Sequence, residues 1–239
     1  MRLRVSLIFV LLFSTWAQAH VPATGPTYAR DVFAKFDELL RQCQTEGRLP
    51  SLGDAKDREV LSKVWDGDAL IGLPPYDEGD LDTLSLAMDK VGSLAALYSQ
   101  VKPVPPHDEL TRAMALLIRG AAAEQLAFDD FLARQSNAAE LLQNNGAKAR
   151  GGIEKMFRGA SVFLSDPALK DENRMILVEA LKSAAPYLAQ SVSANRRQTI
   201  ADLFVPLAGQ FSAPAKASLE IVMQEIKAAN CNRLCADGR

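Results

Sequence analysis

Apolar side chains recur every three or four positions along most of this chain, the spacing of helices that bury one face. The longest such stretch is residues 107–135. It holds no proline, and Leu110, Met114, Leu117, Ala121, Phe128 and Leu132 fall close to helical spacing. Asp108 and Glu109 stand at its start, where carboxylates favour the positive end of a helix dipole. Pro105 and Pro106 stop an upstream helix from running into it. One helix of this length reaches roughly 40 Å at about 1.5 Å per residue, enough to cross a domain. Gly120 and its neighbouring alanines form a thin waist where another helix can approach.

The flanking segments follow the same rule. Thr27 can cap a helix whose inward face carries Tyr28, Val32, Phe36, Leu39, Leu40 and Cys43, ended by Gly47 and Pro50. Residues 54–65 predict a shorter helix with Val60, Leu61, Val64 and Trp65 inward. Asp80 caps a helix from 81 to about 101, with Leu81, Leu84, Met88, Val91, Ala95 and Tyr98 in a heptad-like seam. After the central stretch, Asn137 with Glu140 resembles a capping box, and Asn144, Asn145 and Gly146 predict a helix stop. Ile153, Met156, Phe157, Ala160, Phe163 and Leu164 mark the next helix, and Asp166-Pro167 the start of another, which Pro186 should kink. Ser193 opens a helix with Ile200, Leu203, Phe204 and Leu207, and residues 214–229 form the last, with Leu219, Val222, Met223 and Ile226 inward.

No segment alternates as a strand over more than a few residues. The expected fold is all-α: a single-domain bundle of about seven to nine helices over residues 27–239. FLSDPA at 163–168 and FSAPA at 211–215 resemble each other, with Ser165 and Ser212 47 residues apart. That is within the period of helical repeats, so the C-terminal half also admits a solenoid-like reading, although shared cap chemistry explains the likeness equally well.

Residues 1–19 stand apart from this pattern. Arg2 and Arg4 precede an apolar run from 5 to 13, and Ala17-Gln18-Ala19 is a small-x-small cleavage pattern. This is the layout of a cleaved signal peptide, and the run is too short for a stable membrane span. Cleavage leaves a flexible leader at 20–26 and places the protein in the periplasm or outside the cell, with no stable membrane insertion after processing. Without Arg2 and Arg4 the 27 basic residues become 25 against 29 acids, a net charge of −4. So mild a charge, with its basic residues scattered, suggests no nucleic-acid partner. Export exposes Cys43, Cys231 and Cys235 to oxidising conditions. Cys231 and Cys235 are one helical turn apart, so a bridge between them needs a distorted turn. The favoured pairing is Cys43 with Cys231 or Cys235.

The remaining candidates for chemistry are few. Cleavage would put His20 at a free N-terminus, able to chelate copper with His107, but copper enzymes built on such a terminus are β-sandwiches. Cys231 and Cys235 offer two zinc ligands where structural sites need four. Ser99 and Lys102 fit Ser-x-x-Lys without the companion elements of that enzyme class. No phosphate-binding or nucleophile-elbow motif is present. The expectation is therefore no cofactor and no metal. Glu124 lies among Ala121, Ala122, Ala123 and Leu126; its ordinary role would be a solvated face or an ion pair with Arg119 or Arg134. Residues 66–80 form the longest irregular stretch, and such loops often carry function. There Asp66, Asp68, Tyr76, Asp77, Glu78 and Asp80 are the candidate binding residues, suited to a basic partner. The expected function is a non-enzymatic module that binds another exported or periplasmic protein, as an adaptor, chaperone or antagonist. The alternative is a cell-wall hydrolase using paired carboxylates.

Overall fold

The computed structural model describes residues 27–72, 75–101 and 106–235. The predicted signal peptide and leader, and with them His20, lie outside these residues. Within them the chain forms nine α-helices and no strand: α1 (Thr27–Thr45), α2 (Ala55–Val64), α3 (Gly67–Ile71), α4 (Leu81–Ser99), α5 (His107–Arg134), α6 (Ala138–Leu164), α7 (Asp171–Leu188), α8 (Ala194–Asp202) and α9 (Ala213–Ala228). No helix among the described residues is long and apolar enough to cross a membrane.

Helix α5 lies between two apolar cores. Leu110, Ala113, Leu116, Leu117, Ala123 and Ala127 join Phe33, Phe36, Leu61, Leu84 and Tyr98 from α1, α2 and α4. Ala115, Ile118, Ala121 and Ala122 join Phe157, Leu177, Leu181, Phe204 and Leu219 from α6 to α9. Burial on both sides explains why its apolar residues cover most of its circumference rather than one stripe. Its first-turn acids also make tertiary contacts. Asp108 accepts from Asn173 Nδ2 at 2.7 Å, tying α5 to α7. Glu109 accepts from the Ser51 hydroxyl at 3.0 Å and the Leu52 N–H at 2.7 Å. At Gly120 the helix is as thin as its sequence suggests: a Cβ there would collide with Met88 Sδ, which crosses from α4.

Several boundaries differ from the sequence reading. The expected stop at Asn144, Asn145 and Gly146 is absent, and α6 runs through all three. Among the described residues only Gly47 and Gly72 have positive φ, so Gly146 is helical here. The apolar face of α6 docks beyond it through Ile153, Met156 and Phe157, and such packing outweighs weak local propensity. Asp166-Pro167 does not open α7. Its backbone turns instead, with Asp166 accepting from the Ala168 N–H at 2.8 Å and facing His107 Nε2 at 3.3 Å. FLSDPA thus follows one helix into a turn, whereas FSAPA leads into α9, so the two segments do not occupy matching places. Pro186 falls in the last turn of α7, which passes directly into a 3-10 turn.

The cysteine pairing is also corrected. Cys231 is bonded to Cys235, and Cys43 is a buried free thiol. Cys43 does face inward as expected, but it meets the buried carboxylate of Asp57, at 3.9 and 4.0 Å. The tail can close on itself because α9 ends at Ala228, leaving residues 231–235 in a turn with their end Cα atoms 5.1 Å apart, inside the range disulfides span. Asn232 organises this turn, accepting from the Leu234 and Cys235 N–H groups at 2.9 and 3.2 Å and donating its own N–H to Gln190 O at 2.9 Å.

Two outcomes are expected. Gly120→Leu, which drives a side chain into Met88, should destabilise the fold by about 2–3 kcal/mol, read from urea unfolding. Alkylation of the denatured, unreduced protein should label Cys43 alone, and mass spectrometry of its peptides would reveal label on Cys231 or Cys235 if the pairing were otherwise.

Candidate functional site

The acidic residues singled out between 66 and 80 are largely engaged in holding their own backbone. Asp66 caps α3, accepting from the Ala69 N–H at 3.1 Å. Asp77 and Asp80 form a capping box, Asp77 accepting from the Gly79 N–H at 2.7 Å and Asp80 from the Asp77 N–H at 3.0 Å. Asp68 pairs with Arg119. The Tyr76 hydroxyl donates to Gly72 O at 2.8 Å, and burial raises its pKa. Glu78 is partly buried in the 3-10 turn between Asp77 and Leu81. These groups stabilise the corner between α3 and α4 rather than converging on one point.

A different group of residues does converge. Helices α4, α5 and α6 and the C-terminal tail enclose a cavity of about 60 Å³. The space exists because small residues face it from each helix: Gly92 from α4, Ala121 from α5, and Ala149 and Gly152 from α6. Met88, Leu117, Phe128, Ile153 and Met156 supply apolar walls, and Leu234 closes one side. That leucine is held in place by Arg150, which donates to its carbonyl at 2.9 Å, while neighbouring Arg233 pairs with Asp129 at 3.1 Å. Since about 10–15 Å³ is enough for one water, the cavity suits a few waters or one short alkyl group.

Glu124 is the polar centre of this cavity. It is 3% exposed, so the solvated face expected from its sequence context is not found. Nor are the expected ion pairs: Arg119 binds Asp68, and Arg134 binds Asp130 at 2.7 Å. Its Oε1 accepts from the Ser85 hydroxyl at 3.1 Å, and its Oε2 has no hydrogen-bond partner in the protein. The adjacent Gln125 donates through Nε2 to Tyr187 O at 2.6 Å, and its buried Oε1 is likewise without a partner. Asp89, on the same face of α4 one turn beyond Ser85, also lines the cavity but is exposed, which places it at the rim.

Burial pushes the Glu124 carboxyl up to about 7; the Ser85 hydrogen bond opposes this and the charge of Asp89 adds to it. Burial raises Asp89 as well. A carboxyl in this setting can be a neutral acid that donates, or a carboxylate awaiting a positive group. None of the described lining residues is Lys, Arg or His.

Elsewhere the polar groups are mostly matched within the chain. A more open groove of about 430 Å³ is lined by Trp65, Arg112, Arg119 and Glu179. There Arg119 is held by Asp68, and Glu179 by Lys182 at 3.2 Å and Ser218 at 2.6 Å. His107, the second residue considered for copper, is 11% exposed in its side chain, faces Asp166 and lies edge-on to Phe163. The Ser99 hydroxyl donates to Ala96 O at 2.8 Å. Among the described residues no three His, Cys, Asp or Glu side chains are grouped as a metal would require.

The raised carboxyl has a measurable consequence for folding. Its folded-state pKa, about 7, lies above the ordinary 4.5, so the folded state holds this proton more tightly than the unfolded chain does. Stability from this group is therefore greatest below about pH 4.5 and is lost as pH rises towards 7. Neutral, similarly shaped Glu124→Gln should leave stability nearly unchanged at pH 4 and raise it by about 3 kcal/mol at pH 8. Urea unfolding at both pH values checks this; equal effects at the two would remove the claim. No protein-family model matches the chain, and neither a curated protein nor a solved structure matches it.

Proposed function

We propose that this is an exported, non-enzymatic binding protein whose ligand places an apolar group in the cavity between α4, α5 and α6 and meets Glu124 there. Export rests on the signal-peptide pattern of residues 1–19. The observation that carries the binding role is the partnerless Oε2 of a 3%-exposed carboxylate beside a largely apolar space. Leaving such a group unsatisfied costs about 1–3 kcal/mol or more, and packing alone would be served better by leucine. Largely apolar pockets with a few converging polar groups and a shifted pKa are common ligand sites.

Two features favour binding over the hydrolase alternative. The cavity, at about 60 Å³, is smaller than the groove a polysaccharide needs. Its walls also offer few hydroxyl-binding groups, although Glu124 and Asp89 both line it. The partner is still expected to be exported, but the contact surface is moved from the 66–80 corner to this cavity.

Methyl NMR tests the reading. Titration with n-butanol should shift Met88, Ala121, Ala149, Ile153 and Met156 together, and Gly152→Leu, which fills the space, should abolish the response. Shifts scattered over the surface, or surviving in Gly152→Leu, would count against a cavity ligand.

A further inference from the structure

We infer that the cavity recognises a primary ammonium group carried on a short unbranched apolar stem, the chemistry shared by an n-alkylamine and a lysine side chain. The inference rests on the binding role proposed above and names its ligand class. Both buried oxygens without a partner, Glu124 Oε2 and Gln125 Oε1, can only accept hydrogen bonds in their ordinary ionised and amide forms. Asp89 adds a second negative group at the rim, and no described lining residue is basic. An anionic ligand would therefore meet repulsion at the entrance, and inside it would find the Ser85 hydroxyl and the Gln125 N–H already engaged with Glu124 and Tyr187 O.

A neutral alcohol could satisfy only one acceptor with its single hydrogen. An ammonium brings three donors and the opposite charge, and replaces the missing partner of Glu124 with a charge-assisted bond. Phe128 lines the same space, and an aromatic face also attracts a cation. The remaining walls, from Ala121, Ile153 and Met156, suit methylenes.

Calorimetry and methyl NMR on the purified protein at pH 8 test this with n-butylamine, n-butanol and butyrate. Nα-acetyl-lysine methylamide represents a partner's side chain. Butylamine or the capped lysine should bind at least tenfold more tightly than butanol, and butyrate more weakly than butanol. Glu124→Gln should abolish the preference for the amine while leaving the butanol response. Binding of butylamine without the capped lysine assigns a free amine; binding of the capped lysine assigns a side chain of a partner protein. Butanol binding as well as the amine, or an amine preference that persists in Glu124→Gln, overturns the ammonium assignment and leaves the cavity reading standing. Failure of all four compounds overturns both.

Discussion

A helix buried on two sides must be narrow somewhere, and in this protein that requirement falls on α5. One core needs Leu110, Leu116 and Leu117; the other needs Ala115, Ile118 and Ala122. Between them, Gly120 and three consecutive alanines let α4 and α7 close in from opposite sides. Large side chains throughout would hold those neighbours too far away for either core to pack at interior density. The bundle is therefore arranged around what α5 leaves out as much as around what it contributes.

The same economy of side-chain volume explains the cavity. Small residues on three helices permit close approach at some levels and leave unfilled space at another. Glu124 occupies the level where Ala121 and the glycines of α4 and α6 supply too little bulk. Its carboxylate is destabilising in an empty apolar setting, and its one hydroxyl partner, Ser85, offsets only part of that. A buried acid of this kind makes chemical sense when something else completes its hydrogen bonding.

Much of the fold is legible in residue order because the helical period dominates it. Leu110 through Leu132 mark α5, Asp54 and Gly47 act at the ends expected of them, and the waist at Gly120 is used as such. Local signals failed where longer-range packing opposed them: Asn144, Asn145 and Gly146 carry stop chemistry, yet α6 continues to reach its apolar partners. The cysteine spacing was ambiguous because whether residues 231–235 are helical depends on where α9 ends. Acidic residues in the 66–80 corner advertised a surface site, but their spacing is equally that of caps, and capping is what most of them do. Glu124 was visible as an acid in an alanine-rich run. What the run does not show is that Ser85, on another helix, meets it, and that Gly152, on a third, lines the same cavity.

Met88 belongs to both halves of this picture. Its sulfur fills the notch at Gly120, and the same side chain forms part of the wall facing Glu124. Bundle closure and the shape of the cavity therefore share a side chain. Sequence drift at Met88, Gly120 and the cavity lining should be epistatic, with a change tolerated at one position only after compensation at another. Lineages could then reshape the cavity only along routes that keep α4 seated on α5.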